Sequence, residues 1–350
     1  MNQPLLGLMT TDLPKFHAKS KLSPTWQLLA AAGRAADWQV LFFHPHAISP
    51  HKRTMRGFWL RTDGTWHIGT APLPTVVVDQ VYVHLARTDP RYVLAKRALK
   101  QHHIPVVNPR LPDKRGVWRA LTAFAPLQPY LPETAVLGRS DDVENWLARH
   151  STVFIKPARG SKGRGVTRIG RTADGRYDVT EQHRQTLGAP ALRKLIAKRL
   201  QQERHLIQQG LDLVEAEGSK IDLRVVLFRD GEKVWRPVAT VPRVGKSGQA
   251  VTNLAQGGRT ETLRWLAAEM RQQHIAMPSR EQIEAVAVRT AQALTPLRPT
   301  LAFLGIDIGL TEAGRLYPLD INPRPGRQVL SLDDRHTAYT YLAEFCKTLL

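Results

Sequence analysis

Two apolar segments near the C-terminus constrain most strongly what this chain can fold into. Residues 302–310 and 315–321 have the length and apolar character of β-strands, and a glycine-containing turn separates them. Oxygen-bearing polar side chains interrupt or follow these segments at Asp307, Asp320 and Asn322. Residues i and i+2 of a strand face the same side, so Asp320 and Asn322 should project together. The paired strand should bring Asp307 to the same point, which predicts a hairpin with three oxygen-bearing side chains on one face.

These three side chains define the first candidate site. Carboxylate and amide oxygens are hard ligands, the type that Mg²⁺ prefers when it bridges phosphate groups. Asp307, Asp320 and Asn322 are therefore candidate ligands for one or two Mg²⁺ ions, with Mn²⁺ as an alternative metal. A second interpretation stays open, because Asn322-Pro323 is also typical of a strand end that leads into a turn.

A glycine-rich loop in the middle of the chain is the second candidate site. A predicted strand at 152–155 delivers Lys156, and the basic loop that follows contains Gly160, Ser161, Gly163 and Gly165. Glycines allow backbone N–H groups to converge on phosphate oxygens, and lysine adds a positive charge. The loop is not a P-loop, since Val166 follows Gly165, nor a dinucleotide fingerprint, since Arg168 replaces its last glycine. A flexible basic hairpin without a ligand is the alternative interpretation.

Two further groups of polar residues lie between these sites. An apolar strand ends in Gln208 and Gln209, whose backbone and amide groups suit the edge of an adenine ring. An ordinary edge strand is the alternative. Arg224 and Arg243 fall on predicted strands, and Asn253 falls on a loop. Arginine can recognise phosphate or carboxylate through two parallel hydrogen bonds, although each of these residues taken alone is more often structural.

Charge and composition favour an anionic partner but do not identify which kind of anion binds. The chain has 350 residues, enough for two or three packed units, and its 50 Lys and Arg against 30 Asp and Glu give a net charge of +20. This charge favours polyanions such as nucleotides, nucleic acid or acidic peptides, or it is simply a basic surface. No zinc-finger spacing, basic heptad region or aromatic RNA-binding signature accompanies the charge, so nucleic acid has no support from a motif.

The cysteine content and the start of the chain bear on its compartment. Cys346 is the only cysteine, which excludes a disulfide framework, and its helical context predicts a buried apolar role. No basic stretch followed by a long apolar run begins the chain. We therefore expect a cytoplasmic protein that does not insert into a membrane.

Residues 1–110 have the pattern of an α/β domain. Helices are expected to begin at Pro24 and Pro90, and Asp63-Gly64 between two aromatic segments predicts a hairpin. The predicted strands of this domain lie at 5–9, 40–43, 76–83 and 104–107. Strands that alternate with helices favour a parallel sheet with covering helices. Further along the chain, helices are predicted at 113–124, 141–150, 191–202 and 280–294.

The order of these motifs, more than any single one, resembles the ATP-grasp superfamily, and within it the YheC/YheD-type proteins of spore-forming bacteria. The ordered series consists of Lys114, Lys156 with its glycine loop, Gln208, Arg224, Asn253, Asp307, Asp320 and Asn322. The resemblance covers most of residues 114–328. It implies an N-terminal α/β domain (1–110) and an ATP-grasp domain (111–350) of α+β type. The small lobe (about 111–210) and the large lobe (about 211–350) of that domain would hold ATP between them.

The resemblance also implies roles for individual residues. ATP would be bound by Lys114, Lys156, Gly160, Ser161, Gly163, Gly165, Gln208 and Gln209. Mg²⁺ would be held by Asp307, Asp320 and Asn322. The residues assigned to catalysis, in contact with phosphate or substrate, are Arg224, Arg243, Asn253 and Arg324. One residue departs from the family pattern, because the second metal carboxylate is usually glutamate and here it is Asp320.

The reaction implied by the resemblance is amide formation through an acyl phosphate, with ATP converted to ADP and phosphate. A carboxylate, for example of an acidic peptide or polymer, and an amine would be the substrates. Three alternatives remain at this stage: a non-catalytic scaffold associated with the spore coat, a kinase on the same fold, and a nucleic-acid-binding protein suggested by charge alone.

Overall fold

The computed structural model describes residues 3–11, 13, 24–60, 65–81, 89–158, 165–181, 183–245 and 257–350. Three sheets organise these residues, and they follow one another along the chain. The first lies in the α/β domain predicted from the sequence, and the other two belong to the predicted lobes.

The first sheet combines parallel and antiparallel strands. In chain order its elements are β1 (Leu5–Met9), α1 (Pro24–Ala35), β2 (Gln39–Phe43), β3 (Ile48–Ser49), β4 (Thr54–Leu60), β5 (Trp66–Pro72), β6 (Val76–Asp79), α2 (Pro90–Gln101) and β7 (Val106–Val107). The strand order is β3-β4-β2-β1-β6-β7, with β5 paired to β4. Strands β2, β1, β6 and β7 are parallel, which confirms the predicted parallel sheet. The predicted hairpin is the antiparallel β4–β5 pair, whose turn lies outside the described residues.

Both faces of the parallel strands are apolar because helices cover both. Leu6 and Leu8 pack into one core with Trp26 of α1. Leu5 and Met9 point to the opposite face and pack with residues of α2. This alternation follows from the two-residue period of a strand. Near-continuous apolar runs are therefore what parallel strands require.

The second sheet is antiparallel and covered on one face. Its elements, with the helix that precedes them, are α3 (Lys114–Ala123), β8 (Thr134–Leu137), α4 (Asp142–Leu147), β9 (Thr152–Pro157), β10 (Thr167–Arg171), β11 (Tyr177–Thr180), β12 (Arg184–Leu187), α5 (Ala189–Gln202) and β13 (His205–Gln209). The order is β12-β11-β10-β9-β13-β8. Strand β13 therefore lies between two neighbours, and the alternative interpretation of it as an edge strand is wrong. Helices α4 and α5 pack on the face that carries Val153, Ile155 and Ile207.

The third sheet is also antiparallel and includes the predicted C-terminal hairpin. Its elements, with the helices around them, are β14 (Glu215–Ala216), β15 (Ser219–Arg229), β16 (Trp235–Val244), β17 (Arg259–Thr260), α6 (Leu263–Gln272), α7 (Arg280–Leu294), β18 (Phe303–Leu310), β19 (Leu316–Asn322) and α8 (Leu332–Lys347). The order is β17-β16-β15-β18-β19, with β14 on β15. Helices α6 and α7 bury Leu266, Ile283 and Val286 against one face of this sheet. Helix α6 has no counterpart in the sequence prediction.

The C-terminal helix α8 joins the first sheet to the third. It packs along α1, and the Trp38 indole N–H donates to the Ala343 carbonyl oxygen at 3.0 Å. Cys346 is completely buried in this contact, and burial raises the pKa of its thiol, as expected for an apolar role. One apolar core thus extends across residue 110, while the division into domains at that position stays a prediction. Within the described ranges, none of the helices has the length and apolarity needed to span a bilayer.

Candidate active site

Charged residues form a row across one face of the third sheet. Strand register places Arg224 of β15 opposite Asp307 of β18, and Asp307 opposite Asp320 of β19. The other neighbour of β15 is β16, whose Arg243 lies opposite Asp222 of β15. Residues paired across neighbouring strands share a face of the sheet. The hairpin predicted from the sequence therefore has the expected geometry, with an irregularity in register directly after Asp307.

Asp307 is held by two arginines. The Arg224 guanidinium donates to both of its oxygens, through Nε to Oδ1 and through Nη2 to Oδ2 at 3.0 Å. Arg243 Nη2 lies 2.8 Å from the same Oδ2 and also donates to Asp222 at 2.6 Å. All four side chains are buried, so these pairs are charge-assisted and little screened by solvent. Arg224 and Arg243 thus both bind the Asp307 carboxylate, while their predicted contact with phosphate or substrate stays a prediction.

Asp320 and Asn322 face the same region from the end of β19. Asp320 can be reached by solvent, yet surrounding protein atoms desolvate it, and this together with nearby Asp307 raises the pKa of its carboxyl. Asn322 Oδ1 accepts the Arg324 backbone N–H at 2.9 Å, which orients the amide oxygen and leaves its second lone pair for a ligand. Two carboxylates that destabilise each other next to an amide oxygen fit a hard divalent cation. Within the described ranges, no cluster of three or more His, Cys, Asp or Glu side chains is placed to hold a metal ion.

The second sheet and the helix before it place two lysines near this row of charged residues. Lys156 lies on β9 between residues that point into the core, so its side chain faces away from α4 and α5. The Lys114 backbone N–H donates to the Ala158 carbonyl oxygen at 3.1 Å, which fixes the start of α3 beside the end of β9. Asp113 caps this helix by accepting the Gly116 N–H at 2.9 Å. The start of α3, with Lys114, therefore lies beside the end of β9, which carries Lys156.

Electrostatic interactions show that these lysines and Asp320 lie together. Burial and the charge of Lys114 lower the pKa of Lys156 to about 8, against the opposing effect of Asp320. Burial likewise lowers the pKa of Lys114, and Asp320 opposes that shift. Two partly buried cations at the second sheet and the exposed carboxylate of Asp320 on the third thus lie within range of charge interaction. Such an arrangement is suited to a polyanion bound together with a divalent cation.

Gln208 and Gln209 have different environments. Gln208 shares a face of the second sheet with Lys156 and accepts a hydrogen bond from its ammonium group, while its amide nitrogen donates to Thr134 Oγ1 at 2.9 Å. Gln209 points to the opposite face, where its Oε1 accepts the Glu133 backbone N–H at 3.3 Å. Only Gln208 is thus brought to Lys156 by the strand geometry.

The remaining assigned residues are placed as follows. Gly165 has φ +73°, a left-handed conformation that glycine adopts without strain, and a Cβ there would lie 3.2 Å from Pro157. Arg324 lies in the loop after β19, and its guanidinium contacts Asp79 at the end of β6. Three loop residues and one catalytic candidate fall outside the described residues, namely Gly160, Ser161, Gly163 and Asn253.

Asn108 is a site-supporting residue that the sequence analysis missed. Its Oδ1 accepts the backbone N–H groups of Ala302 and Phe303 at 2.9 and 3.0 Å, and its amide nitrogen donates to the Pro323 carbonyl oxygen. The residue is completely buried and has φ +59°. Asparagine is enriched in this left-handed region, so Asn108-Pro109 at a strand end was the available signal. It holds the segment between Asn322 and Arg324 against the start of β18.

Comparison with known proteins agrees with this architecture. The family model of YheC/D-like ATP-grasp proteins matches residues 103–349. Because the match spans well over half of the sequence, the chain belongs to the YheC/D-like ATP-grasp family. The resemblance inferred from motif order is thereby confirmed.

Two curated relatives are endospore coat-associated proteins of Bacillus subtilis strain 168. YheD is 25% identical over 310 residues, which cover 84% of this chain and 66% of YheD, so the chain spans about two thirds of that relative. YheC is 25% identical over 336 residues, which cover 91% of this chain and 90% of YheC.

Solved structures of ATP-grasp ligases have the same fold. D-cycloserine synthetase DcsG has a TM-score of 0.55 at 16% identity, with 98% of this chain and 99% of DcsG covered. D-alanyl-alanine synthetase A from Vibrio cholerae has a TM-score of 0.53 at 12% identity, with 99% and 98% covered. ATP-grasp ligase PsnB in complex with a minimal precursor has a TM-score of 0.53 at 14% identity, with 99% and 100% covered. The structural similarity establishes the fold and confirms the predicted fold class.

Proposed function

We propose that this chain is an ATP-dependent ligase that joins a carboxylate to an amine through an acyl phosphate. One observation carries the proposal: Lys114 and Lys156, which lie at the second sheet, are close enough to Asp320 of the third sheet for their charges to interact. A triphosphate needs cations on one side and a metal-binding carboxylate on the other, and this arrangement offers both. Membership of the ATP-grasp family and the ligase fold support the same reading.

The proposed chemistry proceeds in two displacements. An oxygen of the substrate carboxylate attacks the γ-phosphorus of ATP, the bond to the β–γ bridging oxygen breaks, and ADP leaves. The amine nitrogen then attacks the acyl carbon, inorganic phosphate leaves, and the amine proton is released with it. Neither step needs a nucleophile from the protein, so positioning and charge neutralisation are the contributions required of it.

Each group of residues has a distinct part in this proposal. Lys114 and Lys156 would bind phosphate oxygens as point charges, and Gly165 belongs to the loop that would cover them. Arg224 and Arg243 would stabilise charge on the transferred phosphoryl group, for which their burial and fixed orientation prepare them. Mg²⁺, held by Asp320, Asn322 and Asp307, would supply charge neutralisation on the phosphates.

The acid substrate is proposed to be an acidic peptide or polymer. The support is the net charge of +20, which raises the local concentration of polyanions around the protein. PsnB, which shares the fold, has been solved with a minimal precursor bound. The amine co-substrate is left general, because no described group selects among amines.

A test follows from the requirement for two substrates. ADP release is measured against acidic peptides and amino acids, each with and without an amine, and products are identified by mass spectrometry. A ligase releases ADP in full only when acid and amine are both present, whereas a kinase needs one acceptor and a scaffold releases none. Asp320→Ala and Asn322→Ala should abolish turnover while folding persists, and Asp174→Ala on the exposed β10–β11 turn is the matched control. Unchanged turnover in both Asp320→Ala and Asn322→Ala would remove the metal assignment.

A further inference from the structure

A buried charge cluster lies where the first sheet meets the large lobe. Asp79, the last residue of β6, is completely buried. Its Oδ2 accepts the Tyr92 hydroxyl at 2.5 Å and lies 2.8 Å from Arg324 Nη2 and 3.4 Å from Lys96 Nζ. Its Oδ1 accepts the Val81 N–H at 3.2 Å. Groups from α2 and from the loop after β19 therefore converge on one carboxylate.

Arg324 is poorly satisfied in this cluster. Its side chain is 10% exposed, and the Tyr92 hydroxyl interacts with its guanidinium, but its Nε and Nη1 are enclosed without an acceptor in hydrogen-bond geometry in the described structure. The Nη2 contact with Asp79 is close enough for an ion pair but lies off the hydrogen-bond direction, so it contributes charge attraction only. A buried donor left without an acceptor costs about 1–3 kcal/mol. Such a group in a folded protein needs an explanation, and an acceptor from outside the chain is one.

Positive charge exceeds negative charge in this cluster. Arg324, Lys96 and Arg110 lie near the single carboxylate of Asp79, and the Arg110 guanidinium is 5.7 Å from the centre of the Tyr92 ring. Tyr92 adds no charge, because burial and Asp79 raise its pKa to about 12. Burial lowers the pKa of Lys96, Asp79 opposes that effect, and Arg324 and Arg110 add to it. A bound anion would offset the excess positive charge.

The location of the cluster is one where α/β sheets bind ligands. The chain passes from β1 to β2 on one side of the sheet and reaches β6 on the other side of β1. In open sheets, ligands bind outside the carboxyl ends of the strands at this reversal of direction. Asp79 ends β6, and Thr11 follows β1 with an enclosed hydroxyl that lacks a partner among the described residues. Arg324 is two residues past Asn322, so the two Cα atoms are at most about 7 Å apart.

We propose that this crevice binds a carboxylate group of the substrate, with the Arg324 guanidinium as its bidentate partner. Asp79 and Tyr92 hold Arg324 in place, and Lys96 supplies the second charge. The identity of the carboxylate as part of a ligase substrate rests on the proposed function, but its binding does not. Since Arg324 Nε and Nη1 are closed off from solvent, this binding requires the side chains around them to move. Arg324 is thus a specificity-determining residue that favours substrates with a carboxylate at this position.

The test compares matched probes that differ only in the charged group. Binding of glutarate and glutaramide, of N-acetylalanine and N-acetylalaninamide, and of inorganic phosphate to the full chain is measured by calorimetry without nucleotide. Variants are Arg324→Met, Arg324→Lys and Tyr92→Phe, with Arg193→Met as a control at an exposed arginine of α5. Thermal stabilisation by ATP–Mg²⁺ is recorded separately for each variant, together with its melting temperature.

We expect carboxylates to bind and their amides not to bind. Arg324→Met should weaken carboxylate binding about 10- to 100-fold, the equivalent of one charge-assisted bidentate pair. Arg324→Lys should recover part of this loss, because the charge remains without the planar fork. Tyr92→Phe, which leaves Arg324 intact, should weaken binding less, and Arg193→Met should have no effect.

Two results would overturn the inference. Binding of phosphate but not carboxylates, dependent on Arg324, would assign the crevice to another anion. Binding that is equal in all variants, or absent for every probe, would leave Arg324 as a structural partner of Asp79 only. Carboxylate binding that depends on Arg324 in a chain that ATP–Mg²⁺ does not stabilise would uphold this inference and remove the proposed ligase function.

Discussion

The side-chain amide of Asn108 offers a sharp test of how the candidate site is held in place. Its oxygen accepts two backbone N–H groups of β18, and its nitrogen donates to the Pro323 carbonyl oxygen, 215 residues away in sequence. Asn108→Asp keeps the shape and the accepting oxygen but replaces the donating nitrogen with an oxygen. Above the pKa of the introduced carboxyl, two oxygen atoms then face each other inside the protein.

The cost of this change can be estimated from the contacts that it breaks. Leaving the Pro323 carbonyl and one carboxylate oxygen unsatisfied should cost about 3 kcal/mol, within the usual range for buried polar groups. At 1.36 kcal/mol per pKa unit, that penalty would raise the pKa of the introduced carboxyl by about 2 units, from about 3.9 to about 6. Below that pH the protonated carboxyl can donate to Pro323, as the amide does. Stability should therefore be lost as pH rises through about 6 and be nearly normal below about 4.

Thermal unfolding across pH provides the measurement. At roughly 2 °C per kcal/mol for a chain of this size, Asn108→Asp should melt about 6 °C below the wild-type protein at pH 8 and about 2 °C below it at pH 4.5. Asn145→Asp, at an exposed position of α4, should change the melting temperature little at either pH. A deficit for Asn108→Asp that is the same at both pH values would refute the reasoning, because the hydrogen bond to Pro323 would then not be what matters.

Three further predictions concern the residues around the candidate site. ATP–Mg²⁺ affinity should fall as pH rises above about 8, because phosphate binding needs the protonated form of Lys156, whose pKa is lowered to about 8. Calorimetry should show a flatter dependence of affinity on pH for Lys156→Arg, and the same slope in both proteins would contradict the assignment of Lys156 to phosphate binding. Asp320→Glu should tighten Mg²⁺-dependent nucleotide binding, because the longer side chain can bind the metal ion with both carboxylate oxygens. Binding weaker than in the wild-type protein would count against Asp320 as a metal ligand. Gly305→Ala would place a Cβ 2.7 Å from Pro325, and we expect it to lower the free energy of unfolding by about 1–3 kcal/mol, measured by thermal unfolding. Gly326→Ala is the control, because a Cβ there would have no atom within 4 Å and should change stability little. Equal effects of the two substitutions would show that the contact with Pro325 does not restrict residue 305.

Local sequence patterns were sufficient for much of the fold. Helix α7 lies at Arg280–Leu294, as predicted, because its capping box of Ser279 and Gln282 and its apolar spacing are encoded within one segment. The pairing of β18 with β19 could be predicted for a similar reason, since two strands joined by a short turn have few possible partners. Helix α6 was not predicted, although Thr262 caps it, because only Leu266 and Met270 of this helix are buried.

Some features of the candidate site could be predicted from local sequence and others could not. The i, i+2 spacing placed Asp320 and Asn322 on one face, and the order of the motifs identified the family before any contact was known. The sequence assignment put Gln208 and Gln209 at one site, whereas strand alternation directs them to opposite faces. The interior place of β13 in the sheet was not predicted either, because strand order depends on which edges pack together. For Gly160, Ser161, Gly163 and Asn253, the sequence assignments remain predictions.

The sequence by itself identified the family from the order of its motifs, and it predicted the oxygen ligands and the lysines from residue type and local spacing. Only the tertiary structure decided that two arginines hold Asp307, that Asn108 supports the loop after β19, and that Arg324 reaches Asp79. These contacts join residues far apart in the chain, and their formation depends on strand register and on how the first sheet docks against the third. Hydrophobic periodicity does not predict such docking, because it indicates which face of a helix or strand is buried but not which element packs against that face.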